Sequence, residues 1–367
     1  MEIIKVVLTG GPCAGKTTAL NSIGEYLAQN NIPFTTVPET ATELILGNAK
    51  PLGEDTICKF QSLVLKKQLS KEEITEEYLR EIRKPIDKGI IIYDRGLIDN
   101  KAYLSKKEDF QLLLSKKGLA EIDILDSYDL VLDLLSTASC KPEVYNLFNK
   151  ARMEDVETAI KVDERTSLAW IAHRNLKIIN SSISLEEETK IIIDYIKEII
   201  NGNQTKEIRK FLVDNNTSNY CVYNDNNSET LFITEYFLGY NDNLYNHVIS
   251  KREYDNEVSY IYTIYKEEDD KRVIIKDKKI TRKEYFKLLS QYKVIDRTEK
   301  TEINFIENKQ KFKLCIYEDY TILELEENKL NDKLILPSNL NIIQEITNSL
   351  TPVKKKIRKK ELNNGNI

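Results

Sequence analysis

Gly10-x-x-x-x-Gly15-Lys16-Thr17 puts two glycines, a lysine and a hydroxyl at the spacing of a phosphate-binding loop. In such a loop backbone N–H groups wrap a phosphate, the lysine reaches the β- and γ-phosphates, and the threonine hydroxyl holds Mg²⁺. The cradle expected here is Gly11, Cys13, Ala14, Gly15, Lys16, Thr17 and Thr18. Its ligand is a nucleoside triphosphate, ATP or GTP, since no base-reading motif separates the two. Phosphoryl transfer is mostly positioning and charge neutralisation, so a site also needs cations and a group that orients the acceptor. Asp94 would hold Mg²⁺ or orient an acceptor hydroxyl, or else cap a helix. Arg95 would grip a phosphate or the acceptor, or else make a surface ion pair. Glu39 would take a proton from an attacking hydroxyl, or else supply charge at a helix start. Arg152 and Arg165 would close over phosphates from a mobile segment, or else lie on solvated helix faces.

These residues need strands to hold them. Ile3 to Leu8 is a short apolar, β-branched run that ends just before the glycines, and Thr18 to Leu27 has helical spacing. The loop would therefore open a helix whose positive end faces the anion. Phe34–Val37 predicts a second strand ending near Glu39, and Gly89–Tyr93 a third ending at Asp94. Leu130–Leu135, interrupted by one carboxylate, and Leu176–Asn180 predict the fourth and fifth. A charged helix is expected from Asp55 to about Arg83, another over Asp163–His173, and an amphipathic closing helix over Leu185–Ile200. On the Asp163–His173 helix Trp170 and His173 share a face, as packing residues would. Strands alternating with helices indicate a parallel sheet covered on both faces, with ligands at the strands' carboxyl ends.

The chain has 367 residues, 41% hydrophobic and 31% charged, which suits two globular domains. No apolar run reaches the roughly 18 residues of a membrane span. The N-terminus enters the first strand directly, leaving no room for a signal peptide. Five widely spaced cysteines without a C-x-x-C pair point to reduced thiols and a cytoplasmic location. With only His173 and His247, a histidine-rich metal site is excluded. Residues 1–200 carry 26 basic and 32 acidic side chains, and residues 201–367 carry 28 and 27. The excess in the second half comes from Lys354–Lys360, a basic tail that would touch an anionic surface or nucleic acid, or simply solubilise the end of the chain.

Thr9-Gly-Gly-Pro-Cys-Ala-Gly-Lys-Thr-Thr, Val37-Pro-Glu-Thr-Ala-Thr, Asp94-Arg-Gly-Leu-Ile-Asp with Ala102-Tyr103, and Asp163-Glu-Arg-Thr with Trp170 and His173 resemble the small-kinase-like P-loop ATPase family. The arrangement is also similar to deoxynucleoside and thymidylate kinases. That resemblance implies Glu39 as general base and Arg95 as substrate clamp. The chain departs from those kinases in the lid, where they have closely spaced arginines and this chain has Arg152 nearly alone.

After Gly202–Thr205 the composition turns tyrosine-rich and alternating. Strands are expected over 208–213, 230–238, 247–253, 258–266, 272–276, 301–306, 311–318 and 321–326. Helices are expected over 282–291 and 340–350. Many antiparallel strands with few helices suggest a barrel or a strongly curved sheet. Arg209–Val213, Tyr262–Lys266, Leu323–Glu326 and Glu345–Thr347 resemble segments of CYTH-type triphosphate tunnel proteins. The domain order resembles the TRPL translocation defect protein family, which implies testing for GTP and phosphoinositide binding.

The expected organisation is a P-loop kinase-like α/β domain at 1–202, a mainly antiparallel CYTH-like β-barrel at 203–350 and a basic tail at 351–367. A metal-dependent tunnel needs carboxylates, but the family's opening Glu-x-Glu falls on Lys206-Glu207-Ile208, where both are missing. Glu324 and Glu326 share one strand face. Lys266, Arg252, Arg272 and Lys276 would line a basic cavity or an exposed sheet face. The leading functional reading is a Mg²⁺-dependent ATP- or GTP-using phosphotransferase acting on a nucleoside-like small molecule. The alternative is a nucleotide-controlled module whose barrel holds a phosphorylated ligand or phosphoinositide; a tunnel triphosphatase comes third.

Overall fold

A computed structural model of the chain describes residues 2–81, 88–140, 156–180, 184–214, 227–240, 244–268, 271–327, 329 and 334–347. The first half is a five-stranded parallel sheet of β1 (Glu2–Thr9), β2 (Phe34–Val37), β3 (Lys88–Asp94), β4 (Leu130–Leu134) and β5 (Leu176–Ile179), ordered β2-β3-β1-β4-β5. The helices are α1 (Lys16–Gln29), α2 (Thr40–Leu46), α3 (Glu54–Glu81), α4 (Asp99–Ala102), α5 (Lys107–Ser115), α6 (Glu121–Leu125), α7 (Thr137–Cys140), α8 (Val156–Ala169) and α9 (Leu185–Asn201).

The central strands read as unbroken apolar runs because both of their faces are covered. On one face Leu8, Ile90, Ile92 and Leu132 pack against Ile23 and Leu27 of α1 and Ile192 and Ile196 of α9. On the other Val7, Ile91, Tyr93 and Val131 pack against Leu65 and Leu79 of α3 and against Trp170. Strand order reverses at β1, so its carboxyl end opens into the crevice where such sheets bind ligands. Helix α8 stops at Ala169, short of the expected His173. Trp170 and His173 lie just beyond it, fully buried and edge to face at 5.9 Å.

Helix α9 starts in a capping box between Ser184 and Glu187 and ends on left-handed Gly202. Two residues later β6 (Gln204–Val213) begins the second sheet. It continues through β7 (Ser228–Gly239), β8 (Asn246–Tyr254), β9 (Glu257–Glu268), β10 (Lys271–Ile280), β11 (Lys293–Glu307), β12 (Gln310–Ile316) and β13 (Thr321–Glu326), with α10 (Arg282–Gln291) between β10 and β11. Antiparallel pairing runs β10-β9-β8-β7-β11-β12-β13-β6, and Lys271 opposite Glu207 returns β6 to β10. Eight strands therefore close into a barrel, the β10–β6 closure being made by Gln204–Glu207. Residues 340–350, expected as a helix, instead supply β14 (Ile342–Glu345), paired with the far end of β6. Buried Leu340 and Ile346 flank this strand, and pairing with an existing edge outweighs a short helix with little to cover.

The two sheets share apolar core. Leu231 and Ile233 of β7 and Tyr254 of β8 belong to the cluster that contains Tyr93, Tyr128 and Trp170. Charged contacts reinforce the seam. Lys101 Nζ donates to Glu121 (2.8 Å) and to Glu229 of β7 (2.7 Å), and Lys107 Nζ donates to the other Glu229 oxygen at 2.7 Å. Arg252 of β8 pairs with fully buried Asp126 and donates to Ala172 O at 2.9 Å. No helix of the described residues is long and apolar enough to cross a membrane. The tail 351–367 lies outside the described residues.

Removing one partner of a buried ion pair leaves the other charge stranded, at a cost of about 3–5 kcal/mol. Asp126→Asn is therefore expected to lower the urea midpoint sharply, with both halves unfolding in one transition by circular dichroism. Asp126→Leu combined with Arg252→Met should recover most of that loss.

Candidate functional site

The phosphate loop is built by steric necessity at the end of β1. Gly10 adopts φ +130°, and a Cβ there would sit 2.0 Å from Leu134 O. A Cβ on Gly11 would fall 2.6 Å from Asp163 Oδ1. Cys13 and Gly15 are left-handed, at φ 58° and 76°, which turns successive N–H groups into a concave anion nest. Ala14 is buried and holds the loop down, whereas Thr17 and Thr18 on the first turn of α1 are exposed. Lys16 Nζ donates to Gly10 O and Gly11 O, both at 2.8 Å. Burial, helped by the nearby Arg95 charge, lowers the Lys16 ammonium to about 8.

Asp94 ends β3 and Arg95 follows it directly beside the loop, with Arg95 N bonded to Leu8 O at 2.9 Å. Arg95 is left-handed at φ 68°, a strained conformation for a non-glycine residue, and its guanidinium is tied on two sides. Nε donates to Glu39 Oε1 at 2.8 Å and Nη1 to Asp99 Oδ1 at 3.2 Å. Glu39, at the start of α2, also accepts from Thr42 Oγ1 at 2.8 Å. Burial pushes the Glu39 carboxyl up, but Arg95, Thr42 and Lys16 together outweigh it, leaving a net shift downward and an ionised group. Asp94 shifts upward, through burial first and then repulsion from Glu39. Its Oδ1 is buried and accepts no hydrogen bond from the described residues. Lys16, Glu39, Asp94 and Arg95 thus form one electrostatic cluster at the carboxyl ends of three strands.

One expected residue falls outside this cluster. Arg165 donates to Leu104 O, so the structure uses it to hold the loop after α4. Arg152 lies outside the described residues.

Three carboxylates assigned no role from sequence belong to the same region. Asp99 accepts from Thr9 Oγ1 (2.5 Å), Gly96 N (2.8 Å), Trp170 Nε1 (3.1 Å) and Arg95, tying β1, β3 and the end of α8 together. Asp163 of α8 accepts from Gly11 N at 2.7 Å, Ser136 N at 3.0 Å and Ser139 Oγ at 2.6 Å, stapling α8 to the loop. Asp133 of β4, opposite Thr9, is fully buried, and neither of its oxygens accepts a hydrogen bond from the described residues. Burial, with Asp163 nearby, raises it to about 8. The one signal for it in the sequence was a lone acid inside an apolar strand.

A family model described as AAA domain matches residues 5–188. The chain belongs to the AAA-domain family. The match takes in the phosphate loop, Glu39, the Asp94–Arg95 pair and Asp163, so the AAA half is a nucleotide-binding fold. No curated protein matches the chain. A solved structure titled the inorganic triphosphatase NE1496 is 16% identical and aligns over 41% of this chain and 91% of its own, with a TM-score of 0.28. A second structure, titled the hypothetical protein NE1496, gives 17%, 41%, 95% and 0.28. PH1819 from Pyrococcus horikoshii OT3 gives 12%, 43%, 86% and 0.29. The barrel assignment rests on strand pairing within this chain.

The barrel beyond the AAA half encloses a cavity of about 480 Å³. Glu324 and Glu326 face it, as do Arg252 and Arg272, but Lys266 and Lys276 do not. On β9 the inward residues are Ile261, Thr263 and Tyr265, so strict alternation turns Lys266 outward, to Glu268. On β10 a register shift between Ile274 and Lys276 moves Asp277 inward, and Lys276 lies 5.7 Å from the Tyr262 ring.

A phosphate-bound Lys16 must be charged, so nucleotide affinity should hold up to about pH 8 and then fall by about tenfold per pH unit. Titration with a fluorescent nucleotide from pH 7 to 9.5 checks this. Native Asp133 keeps a proton that the unfolded chain releases above about pH 4, so it weakens the fold progressively between pH 4 and 8. Asp133→Asn should therefore be more stable than the parent chain in urea at pH 8, by a margin that narrows at pH 5.

Proposed function

We propose that the AAA half is a phosphotransferase that moves the terminal phosphoryl group of ATP or GTP to the hydroxyl of a nucleoside-like small molecule. The observation that carries this reading is the meeting of Lys16, Glu39, Asp94 and Arg95 at one crevice from positions far apart in the sequence. The nest at Cys13–Gly15 and the N-terminus of α1 would hold the phosphates, and Lys16 would leave its two loop carbonyls to reach them. Mg²⁺ would suit the exposed Thr17 hydroxyl and the unpartnered buried Oδ1 of Asp94. When bound it supplies charge neutralisation at the phosphates. Glu39, ionised beside Arg95, is in the state needed to take the acceptor proton. Arg95, held by Glu39 and Asp99, is fixed to orient the acceptor.

The shared core of the two halves favours a second reading, in which nucleotide occupancy controls the barrel as a binding module. A tunnel triphosphatase has less support. Lys206 and Ile208 stand at the cavity wall where carboxylates would be needed, and Glu326 is already paired with Lys177.

Purified chain with Mg²⁺, labelled ATP or GTP and a pool of nucleosides should yield a labelled acceptor. Glu39→Gln should reduce transfer by about 100-fold or more with nucleotide affinity within twofold, and Lys16→Ala should lose nucleotide binding. Hydrolysis or binding without transfer to any acceptor would favour the binding module.

A further inference from the structure

We propose that Glu72 is a positioning residue for Arg95, acting through Gln68 and Tyr128 to hold the backbone turn that aims the Arg95 guanidinium at the acceptor. The role given to Arg95 rests on the phosphotransferase reading; the linkage that holds it does not. Arg95 sits at φ 68°, and strain of this kind persists only where the surroundings over-determine it. Here they do. Arg95 N donates to Leu8 O at 2.9 Å, and Arg95 O accepts from Gln68 Nε2 at 3.0 Å. Gly96 N donates to Asp99 Oδ2 at 2.8 Å, and Leu97 N donates to the Tyr128 hydroxyl at 3.1 Å. The turn packs tightly against the indole, since a Cβ on Gly96 would lie 2.7 Å from the Trp170 ring.

Two of those four bonds come from groups that Glu72 orients. Gln68 and Glu72 lie one turn apart on α3, both buried. Gln68 Nε2 also donates to Glu72 Oε1 at 3.2 Å. The amide thus spends both hydrogens on acceptors and cannot flip its oxygen toward Arg95 O. Tyr128 Oη donates to Glu72, at 2.9 Å to Oε1 and 3.1 Å to Oε2, which leaves its lone pairs for Leu97 N. One buried carboxylate therefore sets both the amide that holds Arg95 and the hydroxyl that holds Leu97. Packing alone would be served by an apolar side chain at lower cost.

The linkage is sensitive to one proton. Burial raises the Glu72 carboxyl to about 7, against the bonds from Tyr128 and Gln68 and the charge of Lys5, while Glu76 adds to the rise. Around the carboxyl stand Lys5 of β1, paired with Glu76, and the phenols of Tyr93 and Tyr128, both pushed up by burial. Protonation puts a second hydrogen into the Glu72–Tyr128 contact, and one of the two O–H groups then has to turn away. The turn is held most firmly with Glu72 ionised, above about pH 7.

The test is NMR of full-length chain carrying ¹⁵N-labelled arginine, with the Arg95 Nε–H signal identified by its loss in Arg95→Lys. In the parent chain the signal should move with pH about a midpoint near 7, and that midpoint should disappear in Glu72→Gln. In Gln68→Met its exchange with solvent should be faster by at least about tenfold. In the transfer assay above pH 7 both variants should lower kcat at least about tenfold with nucleotide affinity within twofold, a split that a general loss of stability would not produce. Circular dichroism confirms folding, and Tyr128→Phe, expected to act in the same direction, covers a variant that does not fold. A midpoint near 7 persisting in Glu72→Gln would belong to Asp94 or Lys16 beside the guanidinium and would overturn the proposal. So would parental exchange in folded Gln68→Met, or parental kcat in both variants. A parent chain that transfers to no acceptor would remove the transfer reading and leave the NMR result to decide the positioning.

Discussion

Arg252 enters the interior from a barrel strand and is held there by Asp126, a carboxylate of the other half with no exposed surface. Neither charge is tolerable alone in that environment, so the pair makes each half a condition for the other. The same Asp126 reaches Arg174 at 3.7 Å, and Arg174 in turn pairs with Asp277 across the cavity wall. The seam is therefore an ionic chain embedded in a shared apolar cluster. Sliding one sheet past the other would expose both.

That seam runs close to the chemistry. Helix α8 carries Asp163, which holds the phosphate loop at Gly11, and the segment just past its end carries Trp170, which donates to Asp99. Three residues further on, His173 gives its carbonyl to Lys311 of the barrel. One short stretch of chain thus touches the loop, the clamp around Arg95 and the cavity wall. Any displacement of α8 on nucleotide binding must be felt at all three.

The phosphate loop and the five parallel strands were legible because each depends on local pattern: glycine spacing in one case, continuous apolar runs in the other. Glu39, Asp94 and Arg95 were legible because strand ends collect ligand-binding groups in this kind of sheet. Asp99, Asp133 and Asp163 were not, since key partners lie far off in the sequence, Thr9 and Trp170 for Asp99, Gly11 for Asp163 and Thr9 opposite Asp133, and an isolated aspartate in a helix or strand carries no spacing signal. In the barrel, the cavity reading of the basic residues holds for Arg252 and Arg272, and Glu324 and Glu326, read as sharing one strand face, face the same space. It failed for Lys276, where a bulge resets the period, and for Lys266, grouped with them by charge rather than by strand face. Residues 340–350 failed for a related reason: the strand partner of Ile342–Glu345 is the far end of β6, more than a hundred residues away in the sequence.

The shared apolar cluster has a consequence for synthesis. Chains emerge from the ribosome N-terminus first, and early segments begin folding before later ones exist. Here residues 1–201 complete a sheet and its helices, but the apolar cluster around Tyr128 and Trp170 is completed by Leu231, Ile233 and Tyr254, with Ile306 packed against it. The nascent first half must wait, with that patch exposed, while some fifty further residues are translated.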